Sequence, residues 1–162
     1  MIIYPMPRPR RFKPPAFYHV FNRGVAKLPI VRSYVDRLFF FKMLGASIKD
    51  SGVRLYAFCL MDNHFHLLLE TISDNLDRFM WRFASYYVRQ FNFHHERVGP
   101  LFQSRYKSKI ILEEPYLLQV FRYIHLNPVK AGLVSNLEDY EWSSYHCYVG
   151  NKKNWDWLNT EW

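Results

Sequence analysis

The sequence predicts an α+β fold in which one antiparallel sheet is covered by helices on one face, and three observations carry that reading. Apolar runs with period-two alternation and apolar runs with helical spacing follow one another as strand, helix, strand, strand, helix, strand, helix. The two middle strands are separated only by Asp62-Asn63, a spacing that makes a tight hairpin and hence antiparallel pairing. At 162 residues and 49% hydrophobic content, the chain can bury one core without disulfides or a structural metal. That order fits a βαββαβ sandwich followed by a C-terminal helix.

Taken in order, residues 1–15 form a basic arm. Pro5, Pro7, Pro9, Pro14 and Pro15 alternate with Arg8, Arg10, Arg11 and Lys13, which keeps the segment extended and solvated. Both a phosphate-contacting arm and a solubilising tail have this composition. Residues 16–24 alternate as a first strand that ends at the Asn22-Arg23-Gly24 turn. Ser33 is placed to cap a first helix, Asp36 completes a capping box, and Leu38, Phe41, Gly45 and Ile48 mark the inner face. Ser51-Gly52 stops that helix before the strands at 53–61 and 64–70.

Asp74 is expected to cap a second helix whose buried stripe is Leu76, Phe79, Met80, Phe83, Tyr87 and Phe91. A short strand follows at 107–112. Glu113-Glu114-Pro115 then opens a third helix packed down by Leu117, Val120, Phe121 and Ile124. Because a proline disfavours helical geometry in the residue before it, this helix should end near Asn127, with a short turn from Pro128 to Ala131 closed by Gly132. Residues 140–162, with Trp142, Trp155, Trp157 and Trp162, lack periodicity and read as a tail folded over the body. The chain thus divides into an arm (1–15), one domain (16–139) and an aromatic tail (140–162).

A net charge of +8 and an aromatic content of 19% point to a polyanionic partner, with nucleic acid first, although a basic protein without such a ligand has the same charge. Cys59 and Cys147 make neither a disulfide framework nor a zinc cluster, which fits a reducing cytoplasm. No apolar run approaches the roughly 18 residues of a membrane span, and the first residues are too short for a signal segment.

The candidate chemistry begins at Cys59–Glu70. His64 and His66 lie two apart on a strand and therefore point to one face, as two arms of a metal site would, although core and surface histidines share that spacing. Tyr123 and Asn127 are four apart on the third helix and so are neighbours. Together they can supply a nucleophile and a third ligand near a helix C-terminus, whose partial charge favours a cation. They can equally be a packed tyrosine and an N-cap for the turn after Pro128. Arg78, Arg82 and Arg89, with Tyr86 beside them, form a line suited to phosphates and a stacked base, or a solvated helix face.

Leu60–Leu69 and Tyr123–Val134 together resemble the single-tyrosine HUH transposases of the IS200-like superfamily, and within them the REP-associated group. The similarity extends to His19–Val25, Leu101–Tyr106 and the order of elements, and so spans most of residues 16–145. It implies a ferredoxin-like sandwich with the tyrosine on the C-terminal helix. His64, His66 and Asn127 would hold Mg²⁺ or Mn²⁺, and Tyr123 would form a 5′-phosphotyrosine link that leaves a free 3′-hydroxyl. Imidazoles alone would sooner suggest zinc or nickel, but water and phosphate oxygens in the remaining positions favour a hard cation. The implied substrate is single-stranded DNA beside a hairpin, and the implied active form a monomer or homodimer. Arg78, Arg82, Arg89, Arg105, Lys107 and Lys109 are the candidate backbone contacts.

The chain departs from the family at Asp62, where proline is common, and so adds a carboxylate near the expected metal. Two other classes remain open. A non-catalytic nucleic-acid binder could use the same sandwich, although residues 53–61 lack the Gly-aromatic pattern of RNA-recognition sheets. Hydrolysis by metal-activated water would cleave without a covalent adduct.

Overall fold

The computed structural model describes residues 13–150 and 155–161; most of the basic arm (1–12) and Trp162 lie outside the described residues. Its elements are β1 (Phe17–Arg23), α1 (Tyr34–Ser51), β2 (Arg54–Leu60), β3 (His64–Glu70), α2 (Leu76–His94), β4 (Lys107–Ile111), α3 (Glu114–Lys130) and a short α4 (Tyr145–Tyr148). The four strands form one sheet in the order β2-β3-β1-β4, and every neighbouring pair is antiparallel. This is the expected α+β ferredoxin-like arrangement, with β1 and β3 at the centre.

Strand alternation divides the sheet into two faces. Tyr18, Val20, Phe65, Leu67 and Leu69 belong to the core beneath α1 and α2. Phe17 and Leu68 belong to the core beneath α3, on the other side. His19, Phe21, His64 and His66, at the same parity, share that second face.

Each helix begins where its local chemistry dictates. Ser33 Oγ accepts from the Asp36 amide at 3.1 Å, and Asp36 Oδ2 accepts from the Ser33 amide at 2.9 Å, so the capping box closes. Leu38 is a correction, because it is 45% exposed while Phe40, Phe41 and Leu44 are buried. Residues two apart on a helix stand about 200° from each other, so a stripe centred on Phe40 turns Leu38 to solvent. All six predicted stripe residues of α2 are buried. The cap position, however, is Asn75 and not Asp74. Asn75 Nδ2 donates to the Ser51 carbonyl at 2.7 Å and fastens α2 to the end of α1, whereas Asp74 accepts from the Lys13 amide.

A second correction lies in α3, which does not stop at Asn127 but runs through Pro128 to Lys130. Pro128 has no N–H to offer the Ile124 carbonyl. The Asn127 side-chain amide substitutes for it, with Nδ2 lying 2.8 Å from the Tyr123 carbonyl and 3.5 Å from that of Ile124. Asn127 is therefore no N-cap, and Gly132 at φ +70 closes one continuous helix.

The aromatic tail covers the outer edge of β2. The Leu60 amide donates to the Trp142 carbonyl at 2.9 Å, and the Asn159 amide donates to the Leu55 carbonyl at 2.8 Å. Trp155 and Trp157 pack on Phe41 and Phe58. Gly45 makes room for them, since a Cβ there would stand 2.4 Å from the Trp157 ring. An edge strand is thereby hidden from pairing with another chain. No helix among the described residues is long and apolar enough to cross a membrane.

Candidate active site

The β1–β3 pairing places Phe21 opposite His66 and Arg23 opposite His64, so both histidines stand at one end of the two central strands. α3 crosses that face and lays the Tyr123 ring against His66 and His19, at 5.4 and 5.8 Å between ring centroids. The His64 and His66 rings are 5.2 Å apart and nearly perpendicular. Asn127 follows one turn further along α3 and is buried.

Hydrogen bonds prepare both histidines for the same task. His64 Nδ1 donates to Asn63 Oδ1 at 2.7 Å, which leaves its Nε2 lone pair for a ligand. His66 Nδ1 lies 2.9 Å from His19 Nε2. With the proton on His66 Nδ1, its Nε2 lone pair is likewise left for a ligand. Such an outer partner fixes a ligand's tautomer and ring orientation. Asn127 Nδ2 is spent on the Tyr123 carbonyl, so Oδ1 is the atom it can offer a cation. Two imidazole nitrogens and an amide oxygen are donors of the kind that hold a divalent cation.

Electrostatics agree with that assignment. Burial, reinforced by His19 and His64, pushes the His66 pKa down to about 3. Burial and the nearby Lys109 ammonium push His19 down to about 4. His64 is lowered too, by burial and by the Arg23 guanidinium. All three rings are neutral near neutral pH, as metal ligation and its supporting hydrogen bond require. Tyr123 is 39% exposed, and among the described residues its hydroxyl has no hydrogen-bond partner. The Lys130 ammonium lies 4.9 Å from its ring centroid.

The candidate cations fall into two groups. Lys107 pairs with Phe21 and Lys109 with His19 across β1–β4, so both share the histidine face. Arg105 precedes them in the exposed loop that leads into β4. Arg78, Arg82 and Arg89 lie instead on the outer side of α2, behind the opposite face of the sheet. There Arg82 and Arg89 flank the Tyr86 ring, at 5.9 and 5.7 Å, and Arg82 also pairs with Asp50. Asp62 does not reach toward the histidines as an added ligand would; its carboxylate pairs with Arg37 of α1.

Sequence reasoning missed His19, which is 6% exposed and bonded to His66. Its signal was available only through register, since His19, Phe21 and Arg23 share a face with the two histidines once β1 and β3 are paired. A second group, Asp36, His94 and His95, brings donor atoms close enough to hold a cation. It lies in the α1–α2 layer, where Asp36 already accepts from the Arg32 and Ser33 amides and from His95 Nε2 at 2.9 Å. Burial opposes its ionisation, but these bonds together hold the Asp36 carboxyl below its ordinary range.

Known proteins share this architecture. A candidate REP-associated tyrosine transposase of Haemophilus influenzae is 30% identical over 102 residues, which cover 56% of this chain and 57% of that protein. The chain thus spans a little over half the length of that relative. A solved REP-associated tyrosine transposase bound to a REP hairpin matches the whole chain and 91% of its own, with a TM-score of 0.64 at 19% identity. A candidate transposase from Deinococcus radiodurans matches 74% of this chain and 95% of its own, with a TM-score of 0.51 at 21% identity. At such identities the two structures establish the fold. The profile described as transposase, IS200 like, matches residues 16–127, well over half of the sequence, and the chain therefore belongs to the IS200-like transposase family.

Proposed function

We propose that this chain cleaves and rejoins single-stranded DNA through a covalent 5′-phosphotyrosine, with Tyr123 as nucleophile and His64, His66 and Asn127 as ligands of Mg²⁺ or Mn²⁺. The observation that carries the reading is the contact of the Tyr123 ring with His66, with the tyrosine hydroxyl left unengaged. A divalent cation bound there supplies a Lewis acid for the scissile phosphodiester.

The chain's own groups do the rest. Tyr123 Oη attacks phosphorus and loses its proton, while the 3′ oxygen departs and takes up a proton. One phosphodiester is exchanged for another, so the reverse step rejoins the strand. α3 fixes Tyr123 relative to Asn127 because the two sit one turn apart on one helix, tied by the bond from Asn127 Nδ2 to the Tyr123 carbonyl. Lys107, Lys109 and Arg105 are assigned to the backbone of the incoming strand. Arg78, Arg82 and Arg89 would meet only DNA that wraps behind the sheet. The solved relative bound to a REP hairpin supports a hairpin-bearing substrate.

The test is a pool of hairpin-bearing single strands incubated with protein and Mn²⁺ or Mg²⁺, then separated under denaturing conditions. A covalent protein–DNA band that disappears in Tyr123→Phe is the expected result. If the band persists in that variant, Tyr123 is not the nucleophile. Tyr116 is then the next candidate, because Tyr106 is already bonded to Lys13 and Asp77. Cleavage with no adduct would indicate activated water, and DNA binding in EDTA without cleavage under any metal would indicate a non-catalytic binder.

A further inference from the structure

Arg23 ends β1 directly opposite His64. Opposed residues of an antiparallel pair carry their side chains on the same face, with Cβ atoms about 5 Å apart, so the guanidinium belongs to the site. Its backbone is held on both sides: the Arg23 amide donates to Asn22 Oδ1 at 2.9 Å, its carbonyl accepts from the Gln103 amide at 3.0 Å, and the Gly24 amide donates to the Asn63 carbonyl at 2.8 Å. That last bond joins the end of β1 to the hairpin that also orients His64.

The guanidinium itself is without an anion. Arg37, Arg54 and Arg82 each have a carboxylate, from Asp62, Glu70 and Asp50. Arg23 has none among the described residues, and its Nε is buried with no hydrogen-bond partner. A buried donor without an acceptor is costly, and the half-buried guanidinium that carries it has no counter-charge among the described residues. Both deficits are removed by one ligand, a phosphate group, whose oxygens match the planar fork of an arginine.

We infer that Arg23 is a phosphate-binding catalytic residue, donating to a non-bridging oxygen of the scissile phosphate beside His64 and offsetting the charge that grows there as Tyr123 attacks. The assignment rests on the tyrosine-transfer reading above for the identity of that phosphate. Its position is set by β1, so it reaches the reacting group from the sheet while Tyr123 reaches it from the helix.

Two measurements on the full-length chain test this. Calorimetric titration of inorganic phosphate into Mg²⁺-loaded protein should show that Arg23→Gln lowers phosphate affinity by about 10- to 100-fold, the scale of a lost charged hydrogen bond. Mn²⁺ affinity, read by electron paramagnetic resonance, should be unchanged or higher, since a cation next to His64 has been removed. Phosphate binding that is equally tight in Arg23→Gln, or absent from the unaltered chain at millimolar concentration, overturns the assignment. If Arg23→Gln does not fold, Arg23→Lys decides, because it keeps the charge but not the fork; undiminished affinity in that variant also overturns it.

The adduct assay separates this inference from the reading beneath it. Phosphate binding that depends on Arg23, with no adduct from the unaltered chain, leaves the phosphate site standing and removes the tyrosine chemistry. An adduct that forms while phosphate binding ignores Arg23 does the reverse. Where both hold, Arg23→Gln should slow adduct formation by about 10²- to 10³-fold, as loss of one oxyanion donor does elsewhere.

Discussion

The two faces of the sheet are built from opposite materials. Under α1 and α2 a cluster of aromatic rings is set among aliphatic side chains: Phe40, Phe65, Phe79, Phe83 and Tyr87 are essentially inaccessible, and Phe40 meets the rings of Phe41, Phe65, Phe83 and Tyr87 at 5.0 to 5.5 Å. Under α3 the core is apolar around Cys59, Leu68, Ile111 and Ile124, while His19, His64, His66 and Tyr123 gather on the same face. One face is closed by packed apolar side chains, and the other leaves a tyrosine hydroxyl and two imidazole nitrogens without hydrogen-bond partners among the described residues. On the proposed function, stability and chemistry therefore reside on opposite sides of the same two strands, and substitutions should separate accordingly.

The sharpest separation is expected at Tyr123. Tyr123→Phe should abolish the covalent adduct completely while leaving the thermal midpoint unchanged, because the lost hydroxyl is exposed and makes no internal hydrogen bond. A large fall in the midpoint would mean that this tyrosine also holds the fold together.

Phe40→Ala should show the converse. Truncating a fully buried phenylalanine costs about 3–5 kcal/mol, a large part of the total stability of a domain this size. Urea titration should report that loss, while the folded fraction still forms adduct at the normal rate. A cost under about 1 kcal/mol would show that the aromatic face can collapse around a cavity, which its ring-to-ring packing argues against.

His19 tests the boundary between structure and chemistry. His19→Gln removes the ring that orients His66, and loss of such an outer partner typically lowers metal affinity by about 10- to 100-fold. Mn²⁺ binding followed by paramagnetic resonance checks this directly. Excess metal should restore adduct formation, a rescue that a purely structural defect would not allow.

What the sequence made legible follows the same divide. Strand alternation and the i, i+3, i+4 recurrence located the sheet and the whole stripe of α2, because apolar burial leaves a local periodic trace. His64, His66 and Tyr123 were legible as types at fixed spacing. His19 and Arg23 were not, since their nearness to the histidines comes from cross-strand register and has no local period. The end of α3 was misread for a related reason: the proline rule is local and correct, but a side chain at Asn127 supplies the donor that Pro128 lacks. Asp36 was legible as a cap, yet its partner His95 stands 59 residues away.

Asp62 should produce the smallest effect, although its sequence position made it suspect. A carboxylate two residues before His64 would tighten a metal site if it faced the histidines, but it pairs with Arg37 of α1 and is 62% exposed. The Asp62 end of the pair is open to water, which holds its contribution to the range of surface pairs, about 0.2–1 kcal/mol, and Arg37, itself only 16% exposed, keeps a second partner in the Trp142 ring, 5.1 Å away. The turn does not depend on the side chain either, since the Asp62 carbonyl accepts from the Ile30 amide at 2.7 Å. Asp62→Ala should therefore lower stability by no more than about 1 kcal/mol and leave Mn²⁺ affinity unaltered. A tenfold change in that affinity would mean that the hairpin carries charge from one face of the sheet to the other, and the two faces would no longer be separable at this end of the molecule.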